Sequence, residues 1–172
     1  FQEMGAEIDI FNKTGEFEPR ADLKVKFSKL KGINLDTKLV PNLIDELPAF
    51  FVAAAMSSGS TLVREAQELR HKESDRLKAM GEVLRSLGVD FKMYQDGMDI
   101  NGLDENKALS SYTGVTIESF GDHRIAMSSA IACSFFDQES LILNTDNVNT
   151  SFPTFLKLAR QVGLNISLEE HS

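Results

Sequence analysis

The chain has little that would cross-link it or tether it to a surface. Among its 172 residues there is one cysteine, no tryptophan and only four prolines. The lone thiol, Cys133, has no partner for a disulfide within the chain. Its place in the apolar run Ile131-Ala132-Cys133 fits a packed side chain better than a nucleophile. No stretch approaches the roughly 18 apolar residues of a spanning helix, and no secretory leader is visible. A cytoplasmic protein without membrane contact is therefore expected. Basic residues are outnumbered, 18 Lys and Arg against 26 Asp and Glu, for a net charge of −8. That balance argues against nucleic acid or an anionic membrane as partner. Any bound phosphate must be held by a local cluster of cations within an acidic protein. The three histidines show no ligand spacing with Cys133 or with a carboxylate cluster, so no metal site is expected.

What is present includes a repeat. Phe1-Gln2-Glu3-Met4-Gly5-Ala6, Leu84-Arg85-Ser86-Leu87-Gly88-Val89 and Ala159-Arg160-Gln161-Val162-Gly163-Leu164 share one pattern. Each reads as the last turn of a helix, a glycine able to take the left-handed conformation that ends it, and the start of an alternating strand. The glycines lie about 75–85 residues apart, the period of a supersecondary module. Strands are expected at Ala6 to Phe11, Leu23 to Phe27, Thr61 to Glu65, Asp90 to Tyr94, Met98 to Ile100, Gly114 to Glu118 and Ser140 to Leu143. A short strand ending near Asp36 and a strand after Gly163 complete the pattern. Helices apolar almost all round are expected at Phe50 to Met56 and Ile125 to Phe136, suited to a layer with packing on both sides. Two amphipathic helices close the units, one presenting Leu77, Met80, Leu84 and Leu87, the other Phe152, Phe155, Leu156, Ala159 and Val162. The result is an α+β fold of repeated β-α-β-α-β-β units. Residues 1–30 would end a preceding unit, about 31–103 form one unit and about 104–172 the last. With Phe1 rather than a methionine at its start, the chain is expected to begin partway through a longer protein.

The unusual residues gather where strands hand over to helices. Asp45 and Glu46 precede Leu47-Pro48, with Pro48 suited to the first helical turn. Arg70-His71-Lys72-Glu73-Ser74-Asp75-Arg76 packs cations and carboxylates before an amphipathic helix, with Ser74 or Asp75 as its cap. Gly121-Asp122-His123-Arg124 opens the third helix, and Thr150-Ser151-Phe152-Pro153 the fourth. Helix N-termini favour anions, and acids are the usual side chains there. Lys72, Arg76 and Arg124 placed at such ends make sense if an anionic ligand lies between them. Plainer readings stand beside this one. Asp122, Ser151 and Asp45 could be caps, Lys72 with Glu73 a solvated pair, Arg70 a surface cation, and His123 a satisfied buried imidazole. His71 and His171 carry no assigned role.

In their order and spacing, Leu43-Ile44-Asp45-Glu46-Leu47-Pro48, Leu69-Arg70-His71-Lys72-Glu73-Ser74-Asp75-Arg76, Asp122-His123-Arg124-Ile125-Ala126-Met127 and Ser151-Phe152-Pro153 resemble the EPSP synthase family, the 3-phosphoshikimate 1-carboxyvinyltransferases. The resemblance spans essentially the whole chain and implies the enolpyruvyl transferase fold, with the active site in a cleft between two globular domains. It implies transfer of the enolpyruvyl group of phosphoenolpyruvate to the 5-hydroxyl of shikimate 3-phosphate, with loss of phosphate, by addition and elimination through a tetrahedral intermediate and without any cofactor. By motif position Asp45 resembles the proton acceptor at the shikimate hydroxyls and Glu73 the group serving the C3 methylene. Lys72 matches a shikimate 3-phosphate ligand, Arg76 and Arg124 the arginines holding phosphoenolpyruvate, and His123 a supporting residue. Where some members place a lysine two residues before the Phe-Pro, this chain has Thr150, at best a weak ligand. The resemblance makes the chain the C-terminal part of such an enzyme, with the N-terminal half absent. The segment would supply about half the site and be inactive alone, and the full-length protein would be a monomer. Two alternatives remain: the enolpyruvyl transferase acting on UDP-N-acetylglucosamine, and a non-catalytic anion-binding domain.

Overall fold

A computed structural model describes residues 1–103 and 114–169. Strands β1 (Glu7–Thr14) and β2 (Arg20–Lys26) form an antiparallel hairpin in which Ile8 opposes Val25 and Ile10 opposes Leu23. This puts its aliphatic side chains on one face and Glu7, Asp9, Lys24 and Lys26 on the other. The aliphatic face is largely exposed, and Phe27, just past β2, is 93% exposed. The hairpin therefore adds almost nothing to the core.

The expected strand ending near Asp36 is reduced to two isolated parallel bridges, Lys31 with Ser58 and Asn34 with Leu62. Close approach is possible there because Gly32 has no side chain: a Cβ would collide with the Ser60 backbone. Two short turns flank α1 (Val40–Leu43), and α2 (Leu47–Ala55) follows, with Pro48 in its first turn. Next come β3 (Ser60–Val63), a 3₁₀ turn at Gln67–His71, α3 (Arg76–Ser86), β4 (Asp90–Tyr94) and β5 (Gly97–Asn101). Strands β3, β5 and β4 form an antiparallel sheet in that order. After residues 104–113, β6 (Thr116–Glu118) leads into α4 (His123–Cys133), β7 (Leu141–Leu143), α5 (Asn147–Ser151) and α6 (Phe155–Gln161). Strand β6 pairs β7 in parallel, in the same relation as the bridge joining Asn34 to Leu62. The molecule is α+β, and no described helix is long and apolar enough to cross a membrane.

The three glycine-ended segments share one hydrogen-bond pattern. The amide of Gly88 donates to Arg85 and that of Val89 to Leu84, while Gly163 and Leu164 donate to Arg160 and Ala159. Gly5 and Ala6 repeat this with Gln2 and Phe1, and all three glycines have positive φ. That is the Schellman ending their sequences announce.

The core lies where α2, α3 and α4 meet the three-stranded sheet. Phe51, Leu69, Leu77, Met80, Leu84, Met98, Ile100 and Ile125 are fully buried in it. Each such side chain contributes about 1.5–3 kcal/mol of transfer free energy. The expected apolar face of α3, including Leu87, is buried as read.

The last unit departs from expectation. On α6 only Ala159 is buried; Phe152 lies before the helix and is exposed, Phe155 and Leu156 are half-buried, and Val162 is 76% exposed. Residues 164–169 form no strand, because among the described residues no neighbouring strand lies there to complete a ladder. Without that sheet, α6 has no surface on which to seat its apolar side. Pro153 falls in the turn before α6, and Ser151 ends α5 rather than capping a helix.

Candidate active site

Each chemical residue is placed by a local backbone feature. Arg76 is the first residue of α3, whose cap is Asp75, accepting from the Lys78 amide at 3.0 Å. Asp75 is held in turn by Arg70, whose Nη1 donates to it at 2.9 Å. The other edge of that guanidinium donates to the Gln95 and Tyr94 carbonyls at 2.7 and 3.0 Å. Arg70 is thus not a surface cation; it fastens the Lys72–Arg76 segment to the β4–β5 turn. Asp122 caps α4 by accepting from the Arg124 amide at 2.9 Å, which orients His123 and Arg124 at the start of that helix. Asp45 sits in a 3₁₀ turn before α2 and caps nothing.

These three helix starts converge. Asp45 Oδ1 lies 3.0 Å from Arg76 Nη1 and 3.3 Å from Lys72 Nζ. Arg124 Nη1 donates to the Asp45 carbonyl at 2.7 Å and lies 3.1 Å from Glu46 Oε1. His123 Nδ1 is 2.9 Å from Glu73 Oε2, and Arg76 Nη2 is 4.0 Å from the same oxygen. The His123 contact is a hydrogen bond whose donor depends on which of the two groups carries the proton. All six residues named by sequence reasoning (Asp45, Lys72, Glu73, Arg76, His123 and Arg124) are brought together. Thr150 is an exposed residue of α5, a helix held to the turn before α4 by Asn147 donating to the Gly121 carbonyl, and none of the contacts above joins it to the cluster. His71 is exposed, and His171 lies outside the described residues.

Neighbouring cations hold two of the carboxylates below their ordinary pKa. Burial raises the pKa of Asp45, but the Lys72 ammonium, with Arg124 and Arg76, outweighs it and holds the group below its ordinary value. Asp45 is consequently ionised near neutrality while still 47% exposed at its side chain. Lys72 is pushed up, chiefly by its hydrogen bond to Glu68 and also by Asp45. Asp122 has no exposed surface, yet its pKa is also lowered: burial opposes ionisation, and Arg76, the Arg124 amide and Ser74 overcome it.

Sequence reasoning treated Asp122 as a cap and had no partner for Arg76. The structure makes them a buried ion pair, with Arg76 Nε 2.8 Å from Asp122 Oδ2 and the arginine side chain 3% exposed. Glu46, Glu68 and Ser74 were likewise missed as partners of Arg124, Lys72 and Asp122. Only Glu68 with Lys72, four residues apart, left a readable local signal. Glu73, Asp122 and His123 bring ligand atoms within 4.8 Å of one another. A cation fits poorly there, since the Asp122 oxygens already accept from Arg76, Ser74 and Arg124, and the guanidinium occupies the space between. Beside Asp45 and Arg124, a groove of about 150 Å³ runs between α2 and α4, lined by Pro48, Ala49, Val52, Met127 and Ile131. The arrangement can hold a compact polyanion against cations while two carboxylates of unlike surroundings face it.

The chain is similar to known proteins in sequence and in fold. Residues 1–158 match the family described as EPSP synthase (3-phosphoshikimate 1-carboxyvinyltransferase). A protein of that name from Hydrogenovibrio crunogenus is 45% identical over 168 residues, covering 97% of this chain and 37% of the relative. One from Legionella pneumophila (strain Lens) is 45% identical over 172 residues, covering 99% and 37%. The solved structure of EPSP synthase from Acinetobacter baumannii superimposes with a TM-score of 0.89 at 40% identity, covering 98% of this chain and 39% of that one. The chain thus spans little more than a third of the length of the relatives it matches.

Proposed function

The chain belongs to the EPSP synthase family, and from that premise we propose that its protein transfers the enolpyruvyl group of phosphoenolpyruvate to the 5-hydroxyl of shikimate 3-phosphate. The segment 1–172 would form one wall of the site. The observation that carries this reading is the position of Asp45, an ionised carboxylate held between Lys72 and Arg76 with Arg124 on its carbonyl.

In the proposed reaction Lys72 holds shikimate 3-phosphate, while Arg76 and Arg124 hold phosphoenolpyruvate. Arginine suits that role because its planar fork binds carboxylate or phosphate oxygens in pairs and stays charged. Asp45 takes the proton of the 5-hydroxyl as its oxygen bonds to C2 of phosphoenolpyruvate. Glu73, protonated at that moment, delivers a proton to C3, giving a methyl group and a tetrahedral intermediate. Elimination returns a proton from C3 to Glu73 and breaks the bond from C2 to the phosphate oxygen. The proton held by Asp45 leaves with the phosphate. His123, hydrogen-bonded to Glu73, keeps that carboxyl aimed at the methylene.

The test is phosphate release by the product of the complete reading frame, given phosphoenolpyruvate alone, with shikimate 3-phosphate, and with UDP-N-acetylglucosamine. Release that requires shikimate 3-phosphate is expected. Release with the UDP-sugar instead would replace the acceptor, and none with either would leave an anion-binding domain without turnover. Residues 1–172 by themselves are expected to release no phosphate, because the facing wall of the cleft is missing.

A further inference from the structure

We infer that Asp122 is a positioning residue, whose buried carboxylate aims Arg76 and Arg124 at one anion while keeping Arg76 from closing on Glu73. The inference rests on the functional reading above. A cap alone would explain one contact, the Arg124 amide at 2.9 Å. Serine, threonine or asparagine would meet that need as well as aspartate. The remaining contacts require a full charge. Oδ2 accepts from Arg76 Nε at 2.8 Å and from Ser74 Oγ at 3.0 Å, and Oδ1 lies 3.4 Å from Arg76 Nη2.

This geometry fixes the guanidinium plane. With Nε and Nη2 engaged by Asp122, the Nη1 edge is left toward Asp45 Oδ1, at 3.0 Å. Glu73 lies farther off, 4.0 Å from Nη2. A guanidinium freed from Asp122 could turn about its Cδ–Nε bond and pair with Asp45 and Glu73 together. Glu73 would then be paired with a cation meant for substrate, as Asp45 already is in the structure. The same carboxylate joins the start of α3, where Arg76 sits, to the start of α4, where Arg124 sits. One buried charge thereby sets the distance between the two arginines.

The experiment uses the complete reading-frame product. Asp122→Asn preserves size and the cap oxygen but turns an amide N–H₂ toward Arg76 Nε, donor against donor. The KM for phosphoenolpyruvate should rise at least about tenfold with a fall in kcat, as for truncation of a buried hydrogen-bonded charge pair. The KM for shikimate 3-phosphate should stay within about twofold. Ser74→Ala, which leaves the charge pair intact, should give a smaller rise of about 2- to 5-fold, again for phosphoenolpyruvate alone. It carries the test if Asp122→Asn does not fold. Combining Arg76→Lys with the Asp122 or Ser74 variant should give clearly less than the product of the single effects, since both act through one guanidinium. Equal loss for both substrates, or multiplicative effects in the double variants, would reduce Asp122 to a structural cap and overturn the inference. If the unmodified protein shows no release dependent on shikimate 3-phosphate, the functional reading fails first and takes this one with it.

Discussion

Replacing Arg76 with methionine would remove the guanidinium from Asp122, a carboxylate with no exposed surface. The stem of the side chain keeps an apolar substitute of similar length, so the loss is mainly electrostatic. Removing one partner of a buried pair costs about 3–5 kcal/mol. Asp122 would keep the Ser74 hydroxyl and the Arg124 amide, which places the expectation near the lower end, about 3 kcal/mol. The pH dependence gives a sharper signature. In the unmodified protein the Asp122 pKa is lowered, so its stabilisation is present above the unfolded value of about 3.9 and lost as pH falls through the folded value. Without Arg76 the burial effect prevails and the folded pKa moves above the unfolded one. Stability then declines as pH rises through that interval. The deficit of Arg76→Met should therefore be full near neutrality and shrink as pH falls through the raised value toward about 3.9. It should shrink further below that as the unmodified protein loses its own stabilisation. Adding Asp122→Asn should recover most of it at neutral pH. Urea unfolding at both pH values checks this. A deficit independent of pH, or below about 1 kcal/mol, would mean that Asp122 is hydrated and the pair contributes no more than a surface salt bridge.

Three further outcomes concern the full-length protein. Glu73→Gln should cut turnover far more than binding; matched rises in both dissociation constants with turnover intact would remove Glu73 from proton transfer. Arg124→Ala should weaken phosphoenolpyruvate by about 1.5–3 kcal/mol and shikimate 3-phosphate much less, as read by equilibrium titration of each ligand. Asp45 is held below its ordinary pKa by Lys72, Arg124 and Arg76 in the empty site, and bound anions would draw those cations away from it. The acid limb of kcat should therefore lie at higher pH than that of kcat/KM, once the substrates' own phosphate titrations are subtracted. Coincident limbs would show that Asp45 is not the base whose basicity substrate raises.

Much of this molecule can be read from short stretches of its chain. The glycine endings at Gly5, Gly88 and Gly163, the buried face of α3 and the caps Asp75 and Asp122 depend on a few neighbouring residues and on backbone geometry alone. The gathering of Asp45, Lys72, Glu73, His123 and Arg124 also followed from sequence, because a repeated unit brings equivalent helix starts to the same edge. The partner of Arg76 did not. Asp122 lies 46 residues away, and no local rule separates a cap that also neutralises a buried guanidinium from one that merely ends a helix. The open face of α6 and the unpaired residues after Gly163 escaped for a related reason. Their alternation matches that of β4, yet a strand exists only where a neighbour completes its hydrogen bonds. Local pattern determined where elements begin and end and which residues stand at their tips. Tertiary structure decided which charges are buried together, because desolvation and ion pairing depend on distances in space that chain separation does not contain.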